Sequence, residues 1–254
     1  MKISKSGCLI FIIAMSAFIL LAMFGLYLYL NESKPVGKFG PQAEQLTQKM
    51  MEAINNEAWQ DVKYISWNFG DRQQHLWDKE RHLSKVSWGE NTVLVDPNEV
   101  TGVAYVNGEK LGDEAAADDL VKTAWKFFIN DSFWLNAPSL ARQPGTTRSI
   151  VKGEDGSDQL LVTYTSGGDT PGDSYLWKLD ANGRPVSYKM WVSLIPVGGV
   201  EFSWDNWEAL DNGAMISKTH VGPGFTLELT NIETGDSWEE LGYKSDPFAE
   251  IERK

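Results

Sequence analysis

Apolar side chains recur along this chain with three different periods, and each period predicts a different element. Cys8 to Leu30 is an unbroken apolar run without a single charge, long enough as a helix to cross the ~30 Å hydrocarbon core of a bilayer. From Pro41 to about Val62 the apolar residues Leu46, Met50, Met51, Ile54 and Ala58 return at helical spacing among polar neighbours, which predicts one amphipathic helix. A second is expected from about Asp113 to Ile129, with Asp113 or Gly112 as cap and Leu120, Val121, Ala124, Trp125 and Phe128 as its apolar stripe.

Nearly everything else alternates with period two. Trp67 and Phe69, Val86 and Trp88, Val93 and Val95, and Val103 and Tyr105 form same-face pairs. Longer alternations follow at Leu160/Val162/Tyr164, Tyr175/Trp177/Leu179, Val186/Tyr188/Met190/Val192, Val200/Phe202/Trp204 and Phe225/Leu227/Leu229. Such strands put one face on a core and one in water. Asn107-Gly108, Asp155-Gly156, Asn182-Gly183, Gly198-Gly199, Asn212-Gly213 and Gly235-Asp236 separate them, and these pairs supply the positive φ that tight hairpins require. The expected fold class is α+β: a curved antiparallel meander of about ten strands, an incomplete β-barrel covered by two helices and preceded by a transmembrane helix. A doubly wound parallel sheet is excluded, because its crossover helices are missing.

Charge and cysteine content then bound the setting. Lys2 and Lys5 precede the apolar run and are the only charges in residues 1–30, so the positive-inside rule leaves the N-terminus in the cytoplasm. The expected division is an anchor over 1–30, a stalk over 31–40 containing Pro35, Gly37 and Gly40, and one exported domain over 41–254. The expected location is the inner membrane, single-pass, with the domain in the periplasm. The alternative is export after signal cleavage, but the run is longer than a signal core and ends in the bulky Leu26-Tyr27-Leu28-Tyr29-Leu30. Cys8 is the only cysteine, so the exported domain has no disulfide and depends on its core. Residues 31–254 carry 21 Lys and Arg against 35 Asp and Glu, which argues against nucleic acid as a partner.

The order of elements and the stretches Gly70–Asp78 (GDRQQHLWD), Asn130–Pro138 (NDSFWLNAP) and Gly167–Leu179 (GGDTPGDSYLWKL), followed by Asn182-Gly183-Arg184-Pro185 and Lys189-Met190-Trp191, resemble the lipoprotein-carrier superfamily of Gram-negative bacteria, the LolA/LolB-like proteins, and in particular their uncharacterised Bacteroidetes-type relatives. The resemblance covers roughly Gln42 to Gly235. It implies an incomplete β-barrel whose concavity receives acyl chains, with no reaction. The long anchor departs from the soluble carriers and puts a shuttling role in doubt.

The candidate ligand-binding residues are the aromatics expected on the inner face and on a lid after the second helix: Trp67, Trp88, Tyr105, Phe128, Phe133, Trp134, Tyr164, Trp177, Tyr188, Met190, Phe202 and Trp204, with Phe225 on the same face. The expected partner is a lipid or an acylated protein. No cofactor or metal is expected: His75, His82 and His220 lack a zinc spacing, and Asp169 and Asp173 in a Gly-rich loop are too few oxygen ligands for calcium. No catalytic residues are assigned either, because no nucleophile, base and orienting group can be assembled. Two other readings fit the same residues. The interior can be solidly filled, making a structural or protein-interaction domain, or the eleven tryptophans and many carboxylates can serve a carbohydrate-binding protein or glycosidase.

Overall fold

The computed structural model describes residues 5–166 and 171–251, without the side chains of residues 5–14, 17, 20 and 26. Helix α1 (Lys5–Leu30) comes first. Of the anchor expected at Cys8–Leu30, the side chains of residues 8–14, 17, 20 and 26 lie outside what is described, and among the described residues no helix is long and apolar enough to cross a membrane.

The single helix expected over residues 41–62 is two. Helix α2 (Pro41–Ala53) starts with proline in its first turn and buries Ala43, Thr47, Met50 and Met51. It stops at Ile54 because Asn55 turns left-handed at φ 50°, and α3 (Asn56–Asp61) restarts beyond. Distant partners satisfy the backbone at this break: the Ile54 carbonyl accepts from the Met215 N–H at 3.0 Å, and the Asn55 side chain donates to the Gly213 carbonyl at 3.0 Å.

Helix α4 (Glu114–Asn136) begins where expected, with the Asp113 carboxylate accepting from the Ala115 and Ala116 N–H groups. It does not end at Ile129. The stretch expected as a lid is its last two turns, followed by a 3-10 turn (Ala137–Arg142) carrying Pro138. Asn130, Asp131 and Ser132 look like a break in the apolar stripe, but Asp131 is buried and bonded to His75, and that contact holds the helix down through them.

Among the described residues there are fourteen strands in two open antiparallel sheets rather than about ten in one. They are β1 (Tyr64–Phe69), β2 (Gln73–Asp78), β3 (Leu83–Trp88), β4 (Asn91–Asp96), β5 (Thr101–Val106), β6 (Glu109–Lys110), β7 (Thr146–Lys152), β8 (Asp158–Tyr164), β9 (Ser174–Leu179), β10 (Pro185–Trp191), β11 (Val200–Ser203), β12 (Asp205–Ala209), β13 (Met215–Gly222) and β14 (Phe225–Gly235). The nine-stranded sheet runs β12-β13-β14-β1-β2-β3-β4-β5-β6 and the five-stranded one β11-β10-β9-β8-β7. Consecutive strands pair as the Asn-Gly turns require, except where the chain changes sheets, between β6 and β7 through α4 and between β11 and β12, and β14 returns to pair with β1. Trp204 sits at that corner, its N–H still bonded to the Val186 carbonyl and its ring buried. The architecture is α+β, as expected, with curved open sheets.

Both flanks of the domain are strapped down. The expected stalk docks along the five-stranded sheet: Lys38 and Ile150 exchange two backbone hydrogen bonds, and Glu32 pairs with Lys189 at 2.7 Å. At the other end, residues 236–251 cross the outer face of the nine-stranded sheet, where Phe248 is fully buried against Leu76, Leu83 and Leu94. Arg81 clamps this strap, bonding Asp246 through both terminal nitrogens at 2.7 and 2.9 Å and Asp78 through Nε at 2.6 Å. Asp246→Asn takes the charge from this two-pronged pair and is expected to cost about 1–2 kcal/mol in urea unfolding.

Candidate functional site

The face expected to hold the ligand divides into two buried clusters. Trp67 and Phe128 lie in the first, under the nine-stranded sheet, with Trp88 packed at its margin against Phe127. Tyr175, Trp177, Tyr188, Met190, Phe202 and Trp204 form the second together with Met50 and Met51, while Phe133 and Tyr164 pack against it. Trp134 touches both clusters, so the end of α4 is wedged between the sheets.

Two of the expected inner-face residues are elsewhere. Tyr105 lies on the opposite face, packed into the cluster around Phe248 and hydrogen-bonded to Glu250. Alternation fixes only that Val103 and Tyr105 share a face, and it is Ala104 that turns toward the core. Phe225 is half exposed, edge-on to Phe202 at 5.3 Å at the rim of the sheet.

Within the second cluster the rings are close and tilted. Trp177 stands 5.0 Å from both Tyr188 and Trp204, and Trp134 lies 4.9 Å from Phe202 and 5.7 Å from Tyr188. Phe133 covers Tyr175 at 4.6 Å. These are the offset and edge-on arrangements that aromatic quadrupoles favour. The polar atoms are the anomaly. Tyr164 Oη, Tyr188 Oη, Trp177 Nε1, Trp204 Nε1 and His220 Nε2 are all buried and have no hydrogen-bond partner among the described residues. Burial raises the phenol pKa values of Tyr164, Tyr175 and Tyr188, so these hydroxyls stay neutral donors. His220 is pushed down to about 4, chiefly by desolvation. Its Nδ1 donates to the Ser203 carbonyl at 3.2 Å, which leaves Nε2 as a bare acceptor facing Trp134 and Trp204.

No family model matches the chain, and no curated protein does. Among the solved structures that match is a DUF1329 family protein from Desulfovibrio piger, 9% identical, with a TM-score of 0.40 over 81% of this chain and 96% of that one.

Other polar groups define two further places of interest. His75 is fully buried, stacked on Trp67 at 4.5 Å, and bonded through Nε2 to Asp131 at 2.7 Å. Asn130 holds the other carboxylate oxygen at 2.8 Å. His75 Nδ1 has no partner among the described residues, and the His75–Asp131 contact ties α4 to the sheet. Two grooves lie on outer faces and are lined mainly by polar side chains. One of about 370 Å³ includes Asn68, Gln74, Lys85 and Tyr243, and one of about 540 Å³ includes Glu32, Lys152, Lys189 and Trp191. Asp169 lies outside the described residues, and Asp173 accepts from the Ser193 N–H. Among the described residues no three His, Cys, Asp or Glu side chains gather as metal ligands.

Alternation located the rings but not Asp131 or His220. Asp131 stands in a polar triplet that reads as solvent-facing, and His220 becomes significant only when the corner at Trp204 brings it among rings distant in sequence.

Proposed function

We propose that this is a non-catalytic, membrane-anchored extracytoplasmic domain, an incomplete β-barrel in form, that binds an amphipathic lipid or the acyl chain of a modified protein within its second aromatic cluster. The carrying observation is the set of buried polar atoms without partners. Each such atom destabilises a closed core by about 1–3 kcal/mol, and a purely structural interior would do better with Phe and Leu. The carbonyl of an acylated ligand would accept from those donors, and the N–H of an amide-linked one would donate to His220 Nε2. The adaptable side chains Met50, Met51 and Met190 border the same space, and Phe133 and Trp134 at the end of α4 close it. Ten buried methylenes at ~0.8 kcal/mol each would offset the displacement of these rings. The anchor rests on the uncharged run to Leu30 and on the exposure of Phe18, Leu21, Phe24 and Leu28 along α1, since a helix apolar on every side belongs in a bilayer rather than in water.

A filled interior serving a structural or protein-interaction domain is the second reading, favoured by the tight edge-on packing of Trp177, Tyr188 and Trp204. One experiment separates the two. Full-length protein purified from its own host should carry an added mass in native mass spectrometry that organic extraction releases as an acyl compound. Tyr188→Phe should raise the stability of the ligand-free protein by about 1 kcal/mol while weakening capture of a fluorescent fatty acid. A chain that carries nothing and leaves that fatty acid free in solution sinks the lipid reading in favour of the second.

A further inference from the structure

The outer face of the five-stranded sheet holds a loop whose position the stalk determines. After Leu30 ends α1, Asn31 and Glu32 do not trail away. The Asn31 side-chain oxygen accepts from the Gly198 N–H at 2.8 Å, the Glu32 N–H donates to the Gly198 carbonyl at 2.9 Å, and the Trp191 indole donates to the Glu32 carbonyl at 2.8 Å. Both glycines of the pair are required by this seat rather than by a hairpin alone. A Cβ on Gly198 would stand 2.4 Å from the Trp191 ring and 2.7 Å from the Glu32 carbonyl oxygen; one on Gly199, at φ +81°, would stand 2.6 Å from Glu32 Cβ.

The segment so held is apolar. Trp191 to Val200 carries no charge in a strongly acidic chain, and within it Leu194 is 74% exposed. Two residues past Leu30 reach at most ~7 Å of extended chain. That distance is comparable with the headgroup layer, roughly 5–8 Å thick on each side of the hydrocarbon. With α1 in a bilayer, Gly198 is therefore no deeper in solvent than the headgroups. Tyr27 and Tyr29 on α1 and Trp191 on β10 then stand at the level where Trp and Tyr concentrate. The one ion pair at the seat, Lys189 with Glu32, neutralises the charge there.

We propose that the 193–197 loop is a membrane-contact surface: Leu194 inserts into the outer-leaflet interface and, with the docked stalk, holds the domain at one fixed orientation on the bilayer. This rests on reading α1 as the anchor, and the affinity asked of the loop is small because the anchor makes its insertion intramolecular.

The test uses the full chain with Cys8→Ser, reconstituted into phosphatidylcholine vesicles, carrying an environment-sensitive fluorophore on Ser193→Cys or, separately, on Leu28→Cys. Lipids bearing quenchers at the headgroup and along the acyl chain report depth. The expected result is quenching at both sites, with the site at 193 losing about half of its quenching on adding Leu194→Asp. Gly198→Val, which fills the seat of Glu32, should likewise lower quenching at 193 and leave it unchanged at 28. Quenching at 28 without quenching at 193 overturns the membrane-contact surface and leaves the anchor intact. Absence of quenching at both sites overturns the anchor and the inference with it.

Discussion

Replacing Trp204 with alanine is expected to destabilise the domain by about 3–5 kcal/mol, the range for emptying a fully buried large aromatic site. Its ring is 1% exposed and lies 4.4 Å from His220, 5.0 Å from Trp177, 5.9 Å from Tyr188 and 6.0 Å from Trp207. Its backbone also carries the chain from one sheet to the other. Collapse around the cavity is limited because the neighbours are rigid rings. One effect opposes the loss: the indole N–H has no partner among the described residues, so deleting it removes a desolvated donor. Trp204→Phe separates the two contributions, since it keeps most of the ring and discards the donor, and it should cost about 1–2 kcal/mol at most. Urea unfolding of both variants gives the numbers directly. A loss below ~1 kcal/mol for the alanine variant would mean that the corner is not a rigid packing site.

The domain should also weaken in mild acid. His220 is held near 4 by burial against an ordinary value of 6.5, so folding prefers the neutral ring. The unfolded chain takes up a proton as pH falls below 6.5 while the folded one does not. The stabilisation is therefore complete above 6.5 and is lost progressively toward 4. The slope is about 1.4 kcal/mol per pH unit, roughly 3 kcal/mol in all. Protonation of the many acidic groups relieves repulsion in the same direction of pH and partly masks this, which is why the comparison must be with His220→Leu. Stability measured at pH 7, 5.5 and 4.5 should fall more steeply for the native chain than for the variant. Parallel curves would show that His220 is hydrated in the folded state.

What could be read from the sequence is what depends on near neighbours. Asp113 as helix cap, the Asn107-Gly108 hairpin with both residues at positive φ, and the inward alternation of Leu160, Val162, Trp177 and Tyr188 follow from local chemistry. Tyr105 failed because alternation does not say which of two faces is the core when a C-terminal strap covers the other. The single helix over 41–62 failed because the residues that stop it, Gly213 and Met215, lie far along the chain. The candidate site was half legible for the same reason: ring positions are periodic, whereas the orphaned atoms and the His75–Asp131 pin arise only when distant segments meet.

The Lys38–Ile150 bridge has a meaning beyond holding the stalk in place. An open sheet ends in strands whose unpaired backbone groups can template pairing with another molecule. Three of the four edges here are poor templates: β6 has only two residues, both charged, β12 carries a left-handed Asn206 between Asp205 and Glu208, and β11 has four residues and turns at once into the corner. The seven-residue β7 is the long one, and Lys38 bridges it at Ile150, one residue past its midpoint. The segment that leads into α2 is thus also a guard against self-association, and a shortened version of the protein keeps that guard only if it retains Lys38.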